Sequence, residues 1–380
     1  MYNSLRLMLV LMLAPMLAMA QAKDETTCPD VKIDLSGLRV LDELDLESMA
    51  DLKQLKQLAV LESMPDLAGL KDLATIGKAG NFSATAAAFD AEKRKTINKS
   101  FKVSAKDALR IENQWGKVHV NTWDKKEIQV TIEVIARASS DAKAQEMLNR
   151  VKIQESREGS TYTFRTQKES MRMNGNKSLE VNYTINMPAE NAIAVKNRFG
   201  DVYLASMKGK ADIDLQYGSL KCDRLANTAN TLKITYGAGN CGYIGGGNIS
   251  VAYTEMKVGG AGGLQGSSKF SDFSLGGLED AMEMDVQYGS FRVDNISKSV
   301  QKISLDGGFT PLYLNFADNT NFNFDVNVSF GNFNVDKSLV TITSLERDHT
   351  SAEYKGKFGN ASSKAVVSIN SKYGDVKFTK

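Results

Sequence analysis

The chain has 380 residues, 42% hydrophobic and 24% charged, and its 47 basic and 45 acidic side chains nearly cancel to a formal net charge of +2. That balance gives no basis for electrostatic binding to nucleic acid. Three cysteines rule out a disulfide-dense scaffold and are not spaced as a zinc knuckle, so the core must come from apolar burial, while 30 glycines and 5 prolines suit many short strands separated by turns.

Residues 1–22 have the three parts of a secretory signal: Arg6 in the n-region, an apolar run over 7–17, and small residues at Ala18, Ala20 and Ala22. The apolar run is shorter than the roughly 20 residues a spanning helix needs, and polar sequence follows it, so no membrane anchor is expected after cleavage. Glu25-Thr26-Thr27 before Cys28 also disfavours lipid attachment. The expected location is the periplasm, the outer surface or the medium.

Residues 23–95 form a second region. An apolar residue falls at every third position from Leu46 to Ile76, a period that walks around an α-helix instead of holding one face. Short helices broken near Pro65 and Gly69 fit better than one long helix, and residues 79–95 read as a linker.

From Thr96 the apolar period is two: Phe101 and Val103, Leu109 and Ile111, Val118 and Val120, then Ile128, Val130, Ile132 and Val134. Ser140-Asp141 opens a short helix with Ala144, Met147, Leu148 and Val151 on one side. Strands resume near 162–164 and 181–185, separated by a polar loop over 167–177. Residues 96–195 are thus an irregular first part of a domain that runs to residue 380.

Residues 196–380 are repetitive. An aromatic residue, often followed by Gly, recurs at Phe199, Tyr217, Tyr236, Tyr253, Phe270 and Tyr288 with spacings of 18, 19, 17, 17 and 18 residues. Related copies stand at Trp115-Gly116, Phe309, Phe330-Gly331, Phe358-Gly359 and Tyr373-Gly374. Positions three and five after the aromatic are apolar, as at Val202 and Leu204 or Phe291 and Val293, and so are positions four and two before it, as at Ile213 and Leu215. Alternation slips by one residue across the Gly, which is how a strand turns a corner. Gly116, Gly200, Gly218, Gly237, Gly289, Gly331 and Gly374 are the expected corners, each needing a positive φ.

Coils of about 17–21 residues cannot bury an apolar face alone, but stacking at roughly 4.8 Å per turn makes a continuous interior. The expected fold is all-β, a single-stranded parallel β-helix, with an antiparallel sandwich as the structural alternative. Cys222 and Cys241 then occupy the same inward site on consecutive coils. Parallel in-register Cβ vectors do not close to the ~3.8 Å of a bridge, so a buried thiol ladder is expected.

The motifs Asn113-Gln114-Trp115-Gly116-Lys117-Val118, Asn197-Arg198-Phe199-Gly200-Asp201-Val202 and Lys372-Tyr373-Gly374-Asp375-Val376 resemble the bacterial "putative adhesin" domain of unknown function, a β-helical relative of auto-transporter adhesin-like head domains. The resemblance covers about residues 96–380 and implies a fold, with no catalytic residues to carry over.

Candidate chemistry is sparse. His119 points outward, His349 lies in a polar run, and neither has a second ligand at metal spacing. Asp212 with Asp214 and Glu283 with Asp285 are outward pairs four coils apart, too far for paired glycosidase carboxylates. The glycines of 237–247 fall on corners and are not followed by the helix of a phosphate loop. Tyr203, Arg224 and Arg292 are possible surface contacts. No cofactor and no metal site is expected. The chain reads as a non-enzymatic envelope or secreted protein presenting a surface to an unknown protein or glycan, the alternative being a carbohydrate-active β-helix.

Overall fold

The computed structural model describes residues 90–168 and 177–380. The signal, the Leu-rich segment and most of the linker lie outside them, as does most of the loop 167–177. The described residues form an all-β structure of 24 hydrogen-bonded strands with one nine-residue α-helix, Asp141–Asn149. Ser140 caps this helix by accepting from the Lys143 amide, Asp141 sits in its first turn, and Ala144, Met147 and Leu148 are its buried face.

The first part of the fold is largely antiparallel. Strand Ala91–Lys102, which begins inside the stretch expected as linker, pairs with Glu127–Ala138, and that strand pairs in turn with Ser178–Pro188. Val151–Glu158 and Thr161–Lys168 form a hairpin pair. From Ala192 onward the pairing changes. Successive repeats pair in parallel, not as the hairpins of a sandwich: Ile213 stands beside Leu232 and Leu232 beside Ile249, while Leu220, Gly239, Met256, Phe273, Phe291 and Leu312 follow one another in a second row. Register is held because a one-residue slip would turn every apolar side chain outward. The inward columns before and after the aromatic are buried, from Ile213 and Leu215 to Val286, and from Val202 and Leu204 to Phe378.

At both ends the spatial order departs from chain order. Trp115 pairs beside Phe199 although residues 116–198, with most of the antiparallel strands, intervene in the chain. At the other end Val366–Lys372 lies between Lys302–Gly308 and Phe322–Ser329, parallel to both, and the outer edge of Phe322–Ser329 takes the antiparallel strands Ser351–Phe358 and Val340–Arg347. Phe358-Gly359 is therefore not a further corner: Phe358 is buried and stacks on Phe322 at 4.7 Å.

The corners themselves differ from expectation. Gly116 and Gly200 have positive φ, but Gly218, Gly237, Gly289, Gly331 and Gly374 do not; the left-handed residue is the aromatic before them, with φ between 49° and 56° from Tyr217 to Tyr373. Glycine is needed there for close approach instead. A Cβ on Gly218 would lie 2.2 Å from the Gly200 carbonyl oxygen, and one on Gly237 2.0 Å from that of Gly218. Where the repeat has Thr254, Ser271 or Thr310, the hydroxyl donates to the carbonyl two residues back, at 2.9, 2.7 and 3.0 Å.

Cys222 and Cys241 are joined by a disulfide, which corrects the expected thiol ladder. Their Cα atoms are 4.6 Å apart in directly paired positions, inside the bridging range, and rotation about χ1 closes the sulfurs without moving the backbone.

Two interior features are polar. The Thr166 hydroxyl donates to Asn113 Oδ1 at 3.0 Å, so the buried Tyr183 phenol must donate to Thr166, at 2.8 Å. Burial pushes the Tyr183 phenol up to about 12. The folded state thus holds its proton where the unfolded chain loses it, and stability is lost as pH rises from about 10 through 12, by roughly 2 to 3 kcal/mol. Tyr183→Phe should remove that loss, seen as converging urea midpoints of the two proteins at pH 11.5; an unchanged gap between pH 8 and 11.5 counts against the assignment. Ser268 interrupts an apolar column between Val251 and Val286, and its buried hydroxyl has no hydrogen-bond partner. Ser268→Ala should raise stability by about 1 kcal/mol, measured by thermal unfolding, because it deletes an unsatisfied group.

Candidate functional site

From Tyr217 onward the left-handed corner swings the aromatic ring out of the alternation and into solvent, and Phe199, followed by Gly200 with its positive φ, stands in line with them. Phe199, Tyr217, Tyr236, Tyr253, Phe270, Tyr288, Phe309, Tyr373 and Phe330 form one continuous stack, with ring centroids 4.6–5.2 Å apart and planes within 17° of parallel. Each ring is 37–56% exposed. A left-handed non-glycine residue costs about 1–2 kcal/mol, and each stacked pair returns about 0.5–1.5 kcal/mol. The stack therefore offsets much of the strain that places it on the surface. Neighbours cover the ring faces, so what solvent meets is a line of ring edges and phenol hydroxyls roughly 40 Å long.

The three expected contact residues are not brought together. Tyr203 and Arg292 share an outward column, which runs His119, Tyr203, Lys221, Asn240, Lys257, Ser274, Arg292, Tyr313, Lys377, but they are five steps apart, about 24 Å at 4.8 Å per step. Tyr203 donates to Asp223 at 2.9 Å, stacks on His119 at 4.5 Å, and is raised in pKa chiefly by that bond to a carboxylate. Arg224 lies on another column, its guanidinium 3.9 Å from the centre of the Tyr243 ring, and Tyr243 donates to Glu279. Burial, then Glu279, raises the Tyr243 phenol. Arg292 is ion-paired with Asp294.

The acidic pairs are also separate. Asp214 stands between Lys196 and Lys233 in its cross-strand row. Asp285 is held by Lys269 at 3.4 Å and accepts from Gln287, while Glu283 meets Lys302 at 3.3 Å. Asp306, unmarked in the sequence, pairs directly beside Asp285, and the three carboxylates Glu283, Asp285 and Asp306 line a depression of about 410 Å³. His349 is exposed in the turn between Val340–Arg347 and Ser351–Phe358. Among the described residues no group of three or more His, Cys, Asp or Glu side chains could hold a metal ion, and no helix is long and apolar enough to cross a membrane.

No family model and no curated protein matches the chain. Crystal structures similar to it include the following two. A "putative cell adhesion protein" from Clostridium sporogenes is 13% identical with a TM-score of 0.20, over 76% of this chain and 99% of that one. A "putative adhesin" from Bacteroides fragilis is 15% identical with a TM-score of 0.33, over 59% of this chain and 97% of that one. At these identities and scores neither likeness assigns a function.

Proposed function

We propose that this is an exported, non-enzymatic envelope or secreted protein, built as a parallel β-solenoid whose outward columns present an extended surface for adhesion or protein interaction. The observation that carries the reading is the exposed aromatic stack. Nine large rings are held in one line on the outside, where the buried columns have no use for them, and a long apolar stripe of this kind marks an interaction surface. The ring steps of 4.6–5.2 Å match the roughly 4.8 Å rise of stacked parallel strands, which supports a solenoid. The pairing of Glu283 and Asp285 with lysines and the exposed position of His349 support a binding role over turnover.

The test is the triple substitution Tyr236→Asn, Tyr253→Asn, Tyr288→Asn, because Asn accepts a left-handed backbone while deleting the ring. Adhesion of protein-coated beads to cell-envelope or matrix preparations should fall at least tenfold while circular dichroism stays that of the parent. Unchanged adhesion by a folded triple variant defeats the reading. The carbohydrate-active alternative draws on the Glu283, Asp285 and Asp306 depression; reducing-sugar release from envelope glycans that disappears in Asp285→Asn would replace a binding role with an enzymatic one.

A further inference from the structure

We propose that a basic cleft at the start of the regular repeats binds an anionic oligosaccharide, one bearing carboxylate or sulfate groups beside free hydroxyls. This goes beyond the aromatic stack and rests on different residues. The cleft, of about 820 Å³, is lined by Arg150, Lys152, Arg165, Lys168, Lys196 and Arg198 against two carboxylates, Glu112 and Asp214. Setting aside Arg150, which is ion-paired with Glu146 at 2.6 Å, and Lys152, the four cations Arg165, Lys168, Lys196 and Arg198 exceed the two carboxylates by two positive charges within the cleft. Its volume is that of a small-ligand site, within the usual range of about 300–1000 Å³.

Arg165, Lys168, Lys196 and Arg198 stand on paired strands, so they are positioned before any ligand arrives. Arg165, Glu112, Lys196 and Asp214 form one cross-strand row. Arg165 grips Glu112 through two nitrogens, at 2.7 and 3.2 Å. Lys168 lies 4.8 Å from the centre of the Trp115 ring and Arg198 5.4 Å from that of Phe199, contacts that orient a cation without neutralising it.

A second observation narrows the ligand. Asp214 Oδ1 and Asn197 Oδ1 are buried and accept no hydrogen bond, and both residues line this cleft. Asn197 is 1% exposed, stands in the inward column beside Leu215 and spends its amide nitrogen on the Gly116 and Gly200 carbonyls, so the acceptor that bears on a ligand is Asp214 Oδ1. The unmet Asp214 acceptor calls for a donor, and its carboxylate repels a ligand that offers only negative charge. Sugar hydroxyls supply the donors while acidic substituents answer the lysines and arginines. Nucleic acid fits less well: beyond Asp214 the outward row continues Lys233, Ser250, Ser267, Asp285, Asp306, so the positive track stops and reverses sign instead of following a backbone.

The experiment is calorimetric titration of the signal-cleaved chain with tetragalacturonate and with a heparin-derived tetrasaccharide, against neutral maltotetraose, inorganic pyrophosphate and an oligodeoxythymidylate. An acidic tetrasaccharide should bind at least tenfold tighter than all three comparators and weaken as salt rises. Lys196→Gln with Arg198→Gln should weaken it at least tenfold, with thermal unfolding unchanged, since both side chains are outward. Asp214→Ala should weaken the saccharide while leaving pyrophosphate no weaker. The proposal is overturned if no acidic saccharide binds, if oligodeoxythymidylate or pyrophosphate binds as tightly, or if the Lys196/Arg198 variant binds like the parent. The aromatic-stack triple variant should retain full saccharide affinity. Its failure in bead adhesion alongside intact titration would therefore concern only the stack, and the converse only the cleft.

Discussion

Replacing Gly289 by valine should lower the urea midpoint by the equivalent of about 3 kcal/mol or more, although its φ is not positive. The cause is distance: a Cβ at Gly289 would lie 2.0 Å from the Ser271 carbonyl oxygen and 2.8 Å from its carbon, and neither backbone atom can step aside without parting the ladder. Overpacking against fixed backbone costs about 1–3 kcal/mol where side chains can yield, and more where they cannot. Gly289→Ser is the informative control. Thr254 and Ser271 carry a Cβ at the same place in adjoining repeats with hydroxyls bonded to the carbonyl two residues back, so Ser meets the same Cβ contact but recovers that bond and should cost about 1 kcal/mol less than Val. Equal midpoints for parent, Ser and Val proteins would remove the close-approach account.

Loss of the Cys222–Cys241 bridge should cost about 3 kcal/mol, the loop-entropy value for a separation of 19 residues. Comparing urea midpoints of the parent and the Cys222→Ala, Cys241→Ala double variant measures it, with the variant further penalised for two small cavities in the inward column. Reductant should shift the parent toward the variant and leave the variant unmoved. Recovery of both cysteines as alkylated thiols from unreduced, denatured protein would show that no bridge exists.

The all-β class, the short helix after Ser140 and the parallel register of successive repeats were legible in the sequence, because each is written locally. Period-two alternation sets which face is buried, a Ser-Asp cap starts a helix, and a constant offset from one aromatic to the next leaves only one register that keeps Leu215, Ile234, Val251 and Val286 inside. The surface candidates were only partly legible. Tyr203, Arg224 and Arg292 are outward as alternation requires, yet alternation says nothing about which outward residues share a column or a cleft.

Tertiary structure alone decided the rest. The slip in alternation at each corner was visible, but not which residue takes the left-handed backbone: Gly200 does at its corner, and Tyr217, Tyr236 and their counterparts do at the later ones. The left-handed backbone turns Tyr217, Tyr236 and their counterparts outward as a stack, and the close passage of the neighbouring strand bars a Cβ from Gly218 and Gly237. The bridge between Cys222 and Cys241 depended on a Cα separation of 4.6 Å and the free rotation of two side chains, which spacing in the chain does not specify. Insertion of Val366–Lys372 ahead of Phe322–Ser329, and the meeting of Arg165, Lys196 and Asp214 in one row, arise from pairings between strands far apart in sequence. Such pairings are selected by the burial of whole faces against one another, so no local pattern in the chain announces them.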